Sequence, residues 1–126
     1  MAVTQESQSL LRIVVAASAV GTLKDQIYVG TKRKMLVWIK TLAAGAQQLD
    51  VKIHRVQPES TSTPVSGEKV QLGSTLTASG NGFTSGAFGE GAAVPPDQFI
   101  SQQIEIEQIR TVVGAMDYTI WIELRD

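Results

Sequence analysis

Apolar residues in this chain recur at every second position, in short runs separated by turn-forming residues. Leu11, Ile13 and Val15 alternate with Arg12 and Val14, and Met35, Val37 and Ile39 alternate with Leu36, Trp38 and Lys40. Leu49, Val51 and Ile53 alternate with Asp50, Lys52 and His54, the cleanest two-residue period present. Ile27 and Val29 form a short run ending at Gly30, and Val70 and Leu72 are flanked by Lys69 and Gln71. Ile104 and Ile106 alternate with Glu105 and Glu107, and Tyr118, Ile120, Ile122 and Leu124 with Thr119, Trp121, Glu123 and Arg125. Successive strand side chains point to opposite faces, so each run shows one face to a core and one to solvent. Val, Ile and Thr dominate these runs, and their branched Cβ suits a pleated surface. No window of a dozen residues carries a helical stripe. The expected fold is all-β, an antiparallel β-sandwich of jelly-roll or Ig-like type, with a small barrel as the alternative.

Turn chemistry divides the runs. Lys40 and Leu49 flank a short segment of small residues, and Val113 and Tyr118 flank Gly114-Ala115-Met116-Asp117. Both read as tight hairpins, the second with a glycine free to adopt positive φ. The strands near 103–113 and 118–125 are therefore expected to pair with each other. The apolar phase shifts at Gln108–Ile109, which predicts a bulge there. Residues 57–67, with Pro58 and Pro64, and the glycine-dense stretch 79–96 read as long loops. Loops of that length inside a compact domain are usually functional or disordered. Residues 1–9 read as a polar N-terminal arm, and 10–126 as a single β-sandwich domain.

Composition narrows the function more than it defines it. A chain of 126 residues suits one domain. Charged residues make up 18% of it, below the ~25% of an average protein, so part of the surface is a candidate for being covered. The net charge of −1 gives no global field for nucleic acid. Cysteine is absent, which removes disulfides, thiol catalysis and thiolate metal sites. The apolar run Leu10–Val20 is interrupted by Arg12 and follows Glu6, unlike a signal peptide. It is also too short for a membrane span. A product made in the cytoplasm, without a membrane partner, is expected.

Candidate chemistry is thin. His54 is the single histidine and lies on the polar phase of its strand, which reads as a surface position. One histidine without cysteine cannot build a zinc site, and no serine sits in a nucleophile elbow. Glu105 and Glu107 share a strand face, with Glu123 expected opposite and Arg110 or Arg125 available to offset repulsion. Paired carboxylates serve glycosidases, but a regular strand reads as a solvated or interface face. Lys32-Arg33-Lys34 is a weak polyanion footprint, better read as a polar strand edge. The glycine-rich loop matches no nucleotide-binding motif, so no cofactor is expected. It carries Phe83 and Phe88, which either fold back or reach into a partner. Trp38 and Trp121 fall on the outward phase of their strands, where exposure is costly unless something covers them. A loop, a neighbouring subunit or a pyranose ring would each serve. The expected interface residues are thus Phe83, Phe88, Trp121, Trp38, Lys32 and Arg33, with no catalytic or metal residue.

The segments Lys34–Lys40 with Leu49–Arg55, and Ile109–Val113 with Tyr118–Leu124, resemble small β-sandwich virion proteins of tailed bacteriophages, of the head decoration or cement type. The resemblance covers about half of the chain and is one of pattern. It implies a non-enzymatic protein on the virion that stabilises a lattice of major capsid protein, or binds another virion protein, commonly as a homo-oligomer. A tail, collar or baseplate component fits the same pattern. A carbohydrate-binding sandwich using Trp121 and Trp38 is the second hypothesis, and an enzyme using the Glu105/Glu107 face the third.

Overall fold

The computed structural model describes residues 2–7, 9–29, 32–56, 69–89 and 103–125. They form nine strands: β1 (Ala2–Ser7), β2 (Leu10–Ser18), β3 (Gly21–Tyr28), β4 (Lys34–Ala43), β5 (Gln48–Val56), β6 (Lys69–Ser79), β7 (Phe83–Gly89), β8 (Gln103–Arg110) and β9 (Met116–Arg125). Sheet A has the order β1-β2-β9-β4-β7 and sheet B the order β3-β8-β5-β6. Every neighbouring pair is antiparallel.

The topology is a rolled ribbon. β2 to β5 run against β9 to β6 in four pairs, β2·β9, β3·β8, β4·β7 and β5·β6. The ribbon then folds over so that β4·β9 and β5·β8 complete the two sheets. That is a jelly roll, which settles the choice among the expected β architectures. The alternating runs explain its core. Ile13, Val37, Ile39, Ile120 and Ile122 from sheet A meet Leu49, Val51, Ile53, Ile104 and Ile106 from sheet B, all buried.

Both expected hairpins are corrected. β4 and β5 lie in different sheets, as do β8 and β9, so each short connection crosses the sandwich instead of reversing within a sheet. Four to five residues bridge the ~10 Å between packed sheets as readily as they close a hairpin. The segments behind the virion resemblance therefore face each other across the core. The expected bulge at Gln108–Ile109 is absent, because β8 keeps unbroken register with both β3 and β5. The apolar phase continues inward as polar residues: Gln108 and Arg110 are buried.

Two further expectations change. Part of the arm is strand β1, paired with β2. Within the expected loop 79–96, Phe83–Gly89 is strand β7, paired with β4 from Lys34↔Gly89 to Lys40↔Phe83. Gly86 signals close approach here and not a loop: a Cβ at that position would sit 2.8 Å from Leu76 Cδ2 of β6. Residues 57–67 and 90–96 of the expected loops lie outside the described set.

The connections 19–20, 44–47, 80–82 and 111–115 gather at one end of the sandwich. Gly80 N–H donates to Gln47 O (2.8 Å) and the Gln47 amide to Val113 O (3.4 Å). Arg110 fastens this end from inside. Its Nε donates to Gln48 O (3.1 Å), one terminal nitrogen to Ser18 O (2.7 Å) and Ser18 Oγ (2.8 Å), and the other to Val112 O (2.8 Å) and Gly114 O (2.7 Å). All five guanidinium donors are thereby used.

Candidate functional site

Strand register assembles one chemically rich surface, the outer face of sheet A. In β2, β9 and β4 the even or odd positions that bury Ile13, Ile120 and Ile39 force their neighbours outward. Directly opposed residues share a face, so Arg12, Trp121, Trp38 and Ser85 form one row across four strands. The next row toward the short connections is Val14, Thr119, Lys40 and Phe83. Phe83 is 61% exposed, and its ring lies 5.9 Å from that of Trp38 at 42°.

Beside Trp121 the small side chains of Ala16 and Thr119 leave a shallow hollow of about 320 Å³, bounded also by Val14, Lys40, Leu42 and Asp117. That lies at the low end of the ~300–1,000 Å³ typical of ligand sites. Asp117 also helps shape the backbone here. Its Oδ1 accepts the Ala17 N–H at 2.7 Å, where Ala17 takes a positive φ of 50° at the β2–β9 register shift.

The structure thus unites three expected residues, Trp38, Trp121 and Phe83. Phe88 turns inward and packs against the core, which removes it from the expected interface. Lys32 and Arg33 stand at the far end of the sheet, where Lys32 N–H donates to Val29 O and Arg33 N–H to Arg125 O. Sequence reading missed Lys40, Thr119 and Asp117. Their signal was present, since each shares the tryptophans' phase, but their adjacency depends on register.

The carboxylate candidates separate. Glu123 lies on sheet A, away from Glu105 and Glu107 on sheet B, and has Arg125 at 3.6 Å. Glu105 does not lie on the solvated or interface face expected for it: it is fully buried, with Lys69 Nζ at 2.8 Å and His54 Nδ1 at 3.6 Å. His54 is likewise buried and not a surface residue, because it sits directly opposite Glu105 in the β5–β8 ladder. Burial, helped by the Lys69 ammonium, holds the His54 pKa below its ordinary 6.5 against the pull of Glu105. Glu107 instead has Lys24 at 3.9 Å. Inside the sandwich Tyr118 donates to Gln108 Oε1 (2.9 Å), and Gln108 donates to Asp25 Oδ2 (2.9 Å). No group of three or more potential metal ligands occurs among the described residues.

No protein-family model and no curated protein matches this chain. Among solved structures it is similar to the carbohydrate-binding module CBM4, with a TM-score of 0.50 and 11% identity over 92% of this chain and 71% of the other. It also aligns with the enzymatically active domain of tailspike protein 4 of bacteriophage CBA120, with a TM-score of 0.48 and 15% identity over 90% of this chain and 15% of the other. The tobacco streak virus coat protein aligns at a TM-score of 0.33 and 11% identity over 97% and 90%. The first likeness establishes a shared β-sandwich fold. The other two are too distant to carry an argument.

Proposed function

We propose that this chain is a non-enzymatic structural protein of a virion, a head-decoration protein that binds the major capsid protein lattice as a homo-oligomer. The observation that carries the reading is the placement of exposed apolar side chains on three separate sides. Val20, Val112 and Val113 crown the short-connection end, Leu23 and Tyr28 lie on edge strand β3, and Val14, Leu42 and Phe83 lie on the outer face of sheet A. A single-ligand module needs one such surface, whereas a lattice component meets several neighbours. Scattered exposed apolar residues are ordinary, but grouped ones mark contact sites.

The short-connection end fits docking best. None of the residues in its four connections carries a charge. Val113 is 84% exposed in a segment that Arg110 holds from within, so little conformational freedom is lost on contact. Burying one such side chain is worth about 1.5–3 kcal/mol, and many copies on one lattice multiply the attachment. The ionisable groups support a role without chemistry: Glu105 is sealed against Lys69, and Asp117 already accepts a backbone amide.

The test is proteomic and hydrodynamic. Particles encoded alongside this gene are purified by density gradient and analysed by mass spectrometry, and the purified chain is sedimented alone. The chain should appear in particles at a fixed ratio to the shell protein. A stable monomer missing from every particle fraction overturns the reading.

A further inference from the structure

The outer face of sheet A differs in charge from the rest of the molecule. The chain as a whole carries 11 Lys and Arg against 12 Asp and Glu. Among the described side chains on this face, Arg12, Lys34, Lys40 and Arg125 outnumber Asp117 and Glu123. Both anions are engaged, Glu123 near Arg125 and Asp117 by the Ala17 amide. Lys40 is exposed and makes no ion pair among the described residues. It projects from the row next to Trp38 and Trp121, and strand geometry sets that row about 7 Å away.

Aromatic side chains and an unpaired cation one row apart suit a ligand with flat apolar faces and regularly spaced negative charge. We infer that this face binds an acidic glycan, a chain of uronic or similarly charged sugars. The half-buried Trp121 and the 61% exposed Phe83, which packs against the half-buried Trp38, form the stacking surface, Lys40 pairs with the sugar carboxylate, and the hollow over Thr119 takes the neighbouring ring. Thr119, Ser85 and the remaining oxygen of Asp117 offer partners to sugar hydroxyls. Hydroxyl and carboxylate partners of this kind suit a hydroxyl-rich ring, whereas single-stranded nucleic acid platforms line a groove with several cations, and Lys40 is the one cation of its row. The inference does not use the short-connection end on which the docking in the virion reading is placed, and shares with that reading Val14, Leu42 and Phe83 of this face.

The chain's two tryptophans both lie on this face, so its tryptophan emission reports on the site. The folded chain is titrated with polygalacturonate and hyaluronate, with neutral dextran and a single-stranded oligonucleotide as comparisons. A saturable emission change with either polyuronate is expected, weakening as salt rises. Lys40→Glu alters an exposed side chain without touching the core and should weaken that binding at least tenfold, as should Trp121→Ala. The inference is overturned by no saturable change with either polyuronate. It is equally overturned by a response that Lys40→Glu leaves unaltered, or by dextran or the oligonucleotide binding as tightly. Particle association is measured separately, so failure of one reading is distinguishable from failure of the other.

Discussion

Replacing Arg110 with methionine removes the internal fastening of the short-connection end while keeping a long side chain in place. Arg110 is 3% exposed and donates five hydrogen bonds, four of them to the carbonyls of Gln48, Ser18, Val112 and Gly114. A hydrogen bond to a charged group contributes about 1.5–3 kcal/mol, and a buried acceptor left unpaired costs about 1–3 kcal/mol. These terms are not additive, because water can enter and the connections can relax. Disruption of buried charged groups typically costs about 3–5 kcal/mol, and we expect Arg110→Met to fall there. Against a total stability of about 5–15 kcal/mol this is a large share. At roughly 4 °C per kcal/mol for a domain of this size, the midpoint should drop by about 12–20 °C. Arg110→Lys should recover only part of the loss, since an ammonium has three donors and no planar fork. Urea unfolding followed by circular dichroism gives the difference, and amide exchange should show the opening confined first to 44–47 and 111–115. A loss below about 1 kcal/mol for Arg110→Met would refute the reasoning.

Three further perturbations probe other parts of the argument. The folded state holds the His54 pKa below 6.5, so the unfolded chain binds the proton more readily; stability should fall as pH drops below 6.5, and His54→Asn should flatten that dependence in urea titrations compared across pH. Burial, and then the nearby Asp25 carboxylate, raises the Tyr118 phenol above its ordinary 10.0, so stability should decline as pH rises past 10.0, and Tyr118→Phe should remove that component while costing about 1–2 kcal/mol at neutral pH by leaving Gln108 Oε1 unpaired. Gly114 has a φ of +127°, and a Cβ there would collide with the Gln47 amide, so Gly114→Ala should lower stability by about 1–3 kcal/mol in the same unfolding assay.

The two-residue period located seven of the nine strands, because Ile, Val and Leu at alternate positions have no better use than a shared core. It missed β7, where Ser85, Gly86 and Ala87 look like a loop. The missing side chain at Gly86 instead lets Leu76 pack close by. Pairing was the larger failure. A turn such as 111–115 has one composition whether it joins neighbours in a sheet or crosses between sheets, and what decides is the partner far away, here β2 and β4 for β9. Gln108 and Arg110 looked like a phase break because their polarity masked their inward direction. Partners on other strands, Tyr118 and Asp25 for Gln108 and Ser18 and Gln48 for Arg110, help make those positions tolerable. The outward tryptophans were legible from phase alone, whereas their alignment with Arg12, Lys40 and Thr119 required register.

The central claim is that an uncharged, rigid, valine-bearing end attaches this jelly roll to a lattice of other subunits. Val112→Asp combined with Val113→Asp places two charges on that end without entering the core. The measurement is the amount of wild-type and doubly substituted chain retained on gradient-purified particles, with both forms folded to the same midpoint. The account predicts retention of the wild type and a loss of at least tenfold for the variant. Equal retention of the two, or no retention of either, would contradict it.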